Sequence, residues 1–325
     1  MKQQETPMIT VILAVYNGGE YLKQSVESVL SQDQTNFEFL VLDDCSTDGS
    51  YEWLQSLTDR RIYLSRNETN KGLFYNLNFL IKQSSSPLIK LWTQDDIMYP
   101  HCLSAFVSFH GRHPGIGFSY SGRDMIDENG RIKENNSIDH TPEIISTELH
   151  ARIAYYTGSI AGNIANVCIS KTAMDKVGLF KEAMKISADF DMWVRLAEHY
   201  DTGFIREKMI QLRDHEGQLS RNEKYYINHV REDLEVYRYM NSYVNAQQKA
   251  EGEILLRNHK LVFYYTLMIK ALLKADFKTT LAYTRQLAAI DNLFLLTIAF
   301  VKAKIRKPAK PAFLVQFDQT VGAYE

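Results

Sequence analysis

Residues 9–16, ITVILAVY, form an unbroken apolar run rich in β-branched side chains. Such a run suits a strand covered on both faces, as in a parallel sheet. Asn17-Gly18-Gly19 is turn chemistry, and Leu22, Val26, Val29 and Leu30 then recur at helical spacing across residues 20–32. The alternation repeats along the chain. Strands are predicted over residues 37–42, 61–65, 87–92 and 117–121. Between them, helices are predicted from the Ser46-Thr47-Asp48-Gly49 turn through Trp53 and Leu57, over residues 72–83, and from Pro100 through Phe109. Strands alternating with helices predict an α/β fold with a largely parallel sheet. Ligands in such sheets sit outside the carboxyl ends of the strands. Asp43-Asp44 and Asp95-Asp96 fall at two of those ends.

The pattern changes further on. Gly158–Asn163 is a small-residue, loop-like stretch. Helices are predicted over residues 171–177 and 189–199, the second with Trp193, Leu196 and Ala197 inward, and a last strand over 206–212. A polar run, residues 213–222, follows. Between Tyr225 and Ala303 there is one glycine, Gly252, and no proline, and apolar residues recur every three or four positions. This predicts two regions, an α/β domain over residues 1–222 and a helical region over 223–325. A length of 325 residues agrees with about two domains.

Composition removes several classes. With 45% hydrophobic and 23% charged residues, the chain has ordinary globular usage, which excludes disorder. A net charge of −2 gives no global sign of a nucleic-acid partner. Three widely spaced cysteines (Cys45, Cys102, Cys168) form neither a disulfide framework nor a zinc motif, and fit a reducing cytoplasm. No secretory signal and no stretch long enough for a membrane span is expected. GxxxxGK[ST], GxGxxG after the first strand, GxSxG and HExxH are absent. A nucleotidyltransferase would want a glycine-rich basic loop after the first strand, where this chain has Asn17-Gly18-Gly19-Glu20.

Four constellations could carry chemistry. The carboxylates of Asp43-Asp44 can accept hydrogen bonds from a nucleobase or a ribose, or form a solvated loop pair. Asp95 and Asp96 repel one another and call for a partner. A divalent cation of the magnesium or manganese kind, completed by substrate phosphates, would serve; the alternative is an acidic cluster ahead of a helix. Asp189 and Asp191 start a helix beside Arg195, so one could act as a general base and the other pair with the arginine, or both could be ordinary helix-start acids. Arg213-Asp214-His215 could neutralise phosphates, and His215 could bind metal, or the three could be a solvated loop.

Taken together, residues 9–50 and 67–100, then SADFDMWVRL (187–196) and LRDHEGQLS (212–220), resemble the family 2 glycosyltransferases of the GT-A fold, over about residues 8–222. The resemblance implies a Rossmann-like sheet flanked by helices and a nucleotide-diphosphate sugar donor. A UDP-sugar is the foremost donor, and the Gln94–Ile97 motif is also similar to members using dTDP-rhamnose. It implies inverting, non-processive transfer in cell-surface polysaccharide synthesis. By the same resemblance Asp44 recognises the base, with Val15 and Tyr16 in the adjoining pocket. Asn17 and Glu20 are the polar positions after the first strand, and Lys71 and Gly72 line the donor site. Asp95 contacts ribose or sugar, and Asp96 holds Mn2+ or Mg2+, with His215 as a further metal ligand. Asp189 is the catalytic base, which leaves Asp191 structural. Arg213 and His215 belong to a mobile loop over the diphosphate. Gly158, Ser159 and Asn163 fall where the acceptor side lies, and the acceptor would be a saccharide or lipid-linked saccharide.

The sequence departs from the family pattern at several points. Cys45 replaces a usual glycine and Ala14 a frequent proline. Thr93 stands where many members have a third acid, Ala188 where many have a glutamate, and the QxxRW motif of processive members is absent. Thr93 and Ala188 keep open a second reading, a catalytically silent nucleotide-sugar-binding module. The resemblance stops short of residues 223–325, which could be an accessory domain, an oligomerisation element giving a homo-oligomer, or a peripheral anchor on the inner membrane surface. For the last, Leu293–Val301 precede the basic residues Lys302, Lys304, Arg306, Lys307 and Lys310.

Overall fold

A computed structural model describes residues 6–133, 141–215 and 226–305. The first apolar run becomes strand β1 (Ile9–Val15), followed by helix α1 (Tyr21–Leu30), β2 (Phe37–Asp43), α2 (Ser50–Gln55), β3 (Ile62–Arg66), α3 (Leu73–Gln83) and β4 (Leu88–Trp92). Next come β5 (Ile97–Met98), α4 (Cys102–Arg112), β6 (Ile116–Ile126), β7 (Ile144–Ile145), α5 (Thr147–Thr157), β8 (Val167–Ser170), α6 (Lys171–Val177), α7 (Ala188–His199) and β9 (Asp201–Arg213). The helical region comprises α8 (Tyr226–Tyr243), α9 (Ala246–Leu256), α10 (Val262–Leu273), α11 (Phe277–Ala288) and α12 (Leu293–Ile305), with a π turn at Arg257–Leu261 before α10.

The strands lie in the order β3-β2-β1-β4-β8-β6-β9-β5, with β7 paired to β9. The run β3-β2-β1-β4 is parallel, as the sequence predicts. The other half is mixed, because β8 runs antiparallel to both β4 and β6, while β6 and β9 are parallel. Strands β6 and β9 are longer than their apolar cores suggest. The polar positions Arg123 and Asp124 still take ladder bonds to β9. Val15 pairs with Asp43 and Leu13 with Trp92, so β1, β2 and β4 end on one edge of the sheet.

Side chains alternate across the pleat. Val11 and Leu13 enter one buried cluster with Val26, Phe39 and Phe106. Ile12 faces the other cluster, with Leu77, Phe118 and Trp193. That second cluster continues without a break into Val230, Tyr237, Leu256, Tyr264 and Leu296, so the C-terminal helices share the core of the α/β part. Gly252 is where α9 closes on α5. A Cβ there would lie 2.4 Å from the Tyr155 ring, so only glycine admits this approach. The expected division near residue 222 lies outside the described residues, as do Arg306, Lys307 and Lys310 of the basic cluster.

Candidate active site

The loops after β1 and β2 are zipped together. Asn17, at φ 48°, donates its amide to Ser46 Oγ (2.9 Å), and its side-chain oxygen accepts the Thr47 amide (2.9 Å). The Gly18 amide donates to Ser50 Oγ (3.0 Å) and the Gly19 amide to Asp48 (3.0 Å). The polar side chain of Asn17 therefore shapes the neighbouring loop. Cys45 sits at φ 64°, in the left-handed region that explains a usual glycine there.

Asp44 is buried, with both carboxylate oxygens engaged. Asn67 Nδ2 (2.7 Å) and the Lys71 amide (2.8 Å) donate to Oδ1, and the Gly72 amide (2.9 Å) to Oδ2. Asp44 thus ties the end of β2 to the loop ahead of α3. Lys71 takes part through its backbone, and its side chain is exposed. Val15 is buried at the end of β1, whereas Tyr16 is 49% exposed. The Tyr16 backbone is clamped by Gln94, which accepts its amide at 2.9 Å and donates to its carbonyl at 3.2 Å. Glu20 is exposed at the N-terminus of α1 and makes no side-chain capping bond.

Asp95 and Asp96 follow β4 and meet the far end of β9. Asp96 is buried. Its Oδ1 accepts the Arg213 amide at 2.8 Å and its Oδ2 accepts the Thr93 hydroxyl. Burial first, and then the Asp95 charge, raise the Asp96 carboxyl to about 7. Asp95 is more accessible, and its Oδ2 lies 3.0 Å from His215 Nε2. Thr93, a departure from the acid-rich motif, is a donor to Asp96. Two adjacent carboxylates at a strand end fit a hard divalent cation, whose binding would displace the proton from Asp96. Among the described residues no three His, Cys, Asp or Glu side chains form a metal cage. Such a cation would therefore share Asp95 and Asp96 with phosphate oxygens.

Arg213 requires a correction to the expectation of a mobile loop. It is the last residue of β9 and is buried. Its guanidinium donates to Gln24 (2.6 Å) and to the carbonyls of Asp95 (2.9 Å), Asp127 (3.2 Å) and Glu128 (3.1 Å), with its carbon 4.4 Å from the Tyr21 ring centroid. These bonds make it a fixed brace behind Asp95. His215, two residues on, packs against Tyr21 at 5.2 Å between ring centroids. Residues 216–222 of the expected loop lie outside the described residues.

Asp189 belongs to a different group, at the start of α7. Its Oδ1 accepts the Phe190 amide at 2.7 Å. Burial raises its carboxyl to about 7, the Asp233 charge adding to the effect and Lys260 opposing it. Asp191 is buried between Lys181 (2.8 Å) and Arg195 (2.7 Å), a structural ion-pair centre. On the expected acceptor side, Asn163 accepts the Ala165 amide at 2.8 Å, and Gly158 ends α5 beside Lys260. The structure thus gathers Tyr16, Asn17, Asp44, Lys71, Gly72, Asp95, Asp96, Arg213 and His215 along one sheet edge, with Asp189 held by other partners. Sequence reasoning missed Gln24, Asp233 and Lys260, which stand out in no pattern and are placed by the fold alone, and it gave Gln94, inside the Gln94–Ile97 motif, no part in holding Tyr16.

The Glycosyl transferase family 2 profile matches residues 10–170. Over 226 residues the chain is 26% identical to an uncharacterised glycosyltransferase of Rickettsia typhi, covering 67% of this chain and 68% of that one. It is also 26% identical over 213 residues to WcaA of Escherichia coli, provisionally named a colanic acid biosynthesis glycosyl transferase (64% of this chain, 73% of that one). Among solved structures, S. aureus TarS 1–349 in complex with UDP-GlcNAc superimposes with a TM-score of 0.61 at 20% identity, covering 77% of this chain and 70% of that one. At that identity the likeness is one of fold.

Proposed function

The chain belongs to glycosyl transferase family 2, and on that premise we propose that it moves a sugar from a nucleotide-diphosphate donor to a hydroxyl of a glycan or lipid-linked saccharide, with inversion. The observation that carries the reading is the gathering of Asp44, Asp95, Asp96 and His215 outside the carboxyl ends of β1, β2 and β4. That is where open α/β sheets bind ligands. Residues 1–222 carry the donor site, and 223–325 are its helical complement. The UDP-GlcNAc held by TarS, and the colanic acid role in the name of WcaA, support a UDP-sugar and a surface polysaccharide. dTDP-rhamnose is the alternative donor.

In this reading Asp44 and the Asn67–Gly72 loop it braces form the nucleotide end of the site. Asp95, Asp96 and His215 face the diphosphate. Mn2+ or Mg2+ held by Asp95 and Asp96 would neutralise the charge that develops on the leaving diphosphate. Asp189 accepts the acceptor hydroxyl's proton as that oxygen bonds the anomeric carbon and the bond from that carbon to the diphosphate breaks. One displacement with one base inverts the centre, so no covalent glycosyl-enzyme is needed.

Among the described residues no helix is long and apolar enough to cross a membrane. We place the enzyme on the cytoplasmic side, in peripheral contact through its C-terminal helices. The first test is a thermal-shift panel of nucleotide sugars with and without manganese. A ligand at about a hundredfold excess over Kd stabilises by about 2.7 kcal/mol. A shift for one donor that requires metal supports the reading; no shift for any UDP- or dTDP-sugar counts against it.

A further inference from the structure

The family profile ends at residue 170, yet the charges that act on Asp189 are those of Asp233 and Lys260, both from beyond residue 222. Glu232 of α8, itself buried, accepts the backbone amides of Lys185, Ile186 and Ser187, each at 2.9 Å. Those are the three peptides that lead into α7. The next residue, Asp233, is 1% exposed and accepts the Ser187 hydroxyl (2.7 Å) and the Tyr264 hydroxyl (2.5 Å). Lys260 Nζ reaches the same carboxylate at 3.0 Å and His229 Nε2 at 3.5 Å. Phe190, beside Asp189, packs edge-on against Tyr237 of α8 at 5.4 Å. The helical region therefore grips the residues on both sides of Asp189.

We propose that Glu232, Asp233 and Lys260 are positioning residues of the transfer reaction, Glu232 fixing the start of α7 and the Asp233–Lys260 pair governing the charge state of Asp189. The proposal deepens the reading of Asp189 as the base and rests on it. Two adjacent acids on α8 then have separate tasks. Glu232 spends its carboxylate on the three peptide N–H groups just ahead of α7, which fixes the chain where it enters the helix. Asp233 puts a buried negative charge near Asp189, where water screens it little. That charge favours the protonated form of Asp189, while Lys260 favours the ionised form.

The other groups on neighbouring elements are accounted for. His229 faces Asp233 from α8, and burial holds it below the usual histidine range, toward the neutral form. Tyr264 and Tyr237 are buried phenols held well above their usual range. His150 of α5 lies against Phe118 of β6. Asp191 of α7 is neutralised by Lys181 and Arg195. Lys260 is also fitted to its place. A Cβ on Gly158, which has φ 85°, would come within 3.2 Å of its Nζ.

The experiment is an NMR pH titration of the full-length protein with 13C-carboxyl aspartate, with the resonance lost in Asp189→Asn marking Asp189. Asp233→Asn should move the Asp189 midpoint down by about one pH unit, and Lys260→Met should move it up. A merely structural role would lower melting temperatures without opposite shifts. If Asp233→Asn fails to fold, Lys260→Met alone decides, and an unmoved midpoint overturns the proposal. No donor or acceptor is needed, so the result is separate from the base assignment. Full turnover in Asp189→Asn would sink that assignment whatever the titration shows.

Discussion

The Asp95 carboxylate and the His215 imidazole meet at 3.0 Å from positions 120 residues apart. The contact joins the end of β4 to the residues just past β9, and Arg213 braces it from behind through the Asp95 carbonyl. If both side chains face a diphosphate with its cation, each should matter to donor binding. Asp95→Ala and His215→Ala should each weaken manganese-dependent UDP binding about tenfold, the scale of a hydrogen bond to a charged group. The double variant should lose less than the two losses combined, because the residues share one contact. Calorimetric titration with UDP measures this, and fully additive losses would show that they act separately.

Asp44 allows a sharper separation of roles. Its three donors come from the Asn67–Gly72 loop, and its carboxylate is 2% exposed. Asp44→Ala leaves those N–H groups without an acceptor and should cost about 2–4 kcal/mol of stability. Urea denaturation should show this without any nucleotide present. An unchanged midpoint would mean that the carboxylate is free to serve a base alone.

Asp189→Asn should leave donor affinity intact and lower turnover by about 10²–10⁴-fold. The pH profile follows from the sign of the shift. A base works ionised, and with a carboxyl at about 7, turnover should fall about tenfold per pH unit below that value. UDP release measured across pH 5–9 checks both statements. A profile flat down to pH 5 would mean that another group limits the rate.

The parallel half of the sheet and its acidic ends were legible because buried parallel strands are mostly apolar and stop where a polar turn begins. β1, β2 and β4 are of that kind, with Glu38 and Lys90 the charged exceptions inside them. β9 was half-seen. The expected strand began at Arg206, whereas β9 begins at Asp201: Asp201 and Gly203 are poor strand formers, and the exposed Arg206, Glu207 and Lys208 separate the first apolar residues from the rest. Arg213 read as a loop residue because a charged side chain at a strand end suggests solvent. Its burial depends on Gln24, Asp95, Asp127 and Glu128, which are scattered through the chain. The grip of α8 on α7 left no trace in any local pattern. Glu232 and Asp233 look like ordinary surface acids of a helix until the tertiary fold supplies three peptide amides and a lysine.

His150 sets a stability difference that depends on pH. It is buried, neither ring nitrogen has a hydrogen-bond partner among the described residues, and burial lowers it to about 4. Between pH 6.5 and 4 the unfolded chain binds a proton at this residue that the folded chain refuses, so its contribution falls as pH falls. The full swing is about 3 kcal/mol. The raised carboxyls of Asp96 and Asp189 act oppositely over roughly the same window, since there the folded state binds the extra protons. The whole-protein curve therefore mixes both effects, and a variant isolates one. The melting temperature of His150→Leu relative to the parent should rise steadily from pH 7 to pH 4.5. A constant difference would mean that His150 is charged in the fold.

The C-terminal helices present apolar side chains that the core does not use. Leu273 is 81% exposed, Phe277 69%, Phe294 72% and Ile305 80%. Residues 257–310 hold eleven Lys or Arg against two Asp, in a chain that overall has 37 basic and 39 acidic residues. Exposed apolar groups within a basic field suit an anionic lipid surface, where each nearby cation contributes about 1 kcal/mol. The full-length protein should co-sediment with phosphatidylglycerol vesicles more than with phosphatidylcholine vesicles, and less as salt is raised. Phe277→Ser with Phe294→Ser should weaken that binding by at least about tenfold, because burying a phenylalanine is worth about 1.5–3 kcal/mol. Equal binding to both lipids would remove the electrostatic part of the argument. Undiminished binding by the double variant would remove the apolar part, leaving these side chains to a second protein surface, which sedimentation equilibrium without lipid would reveal as self-association.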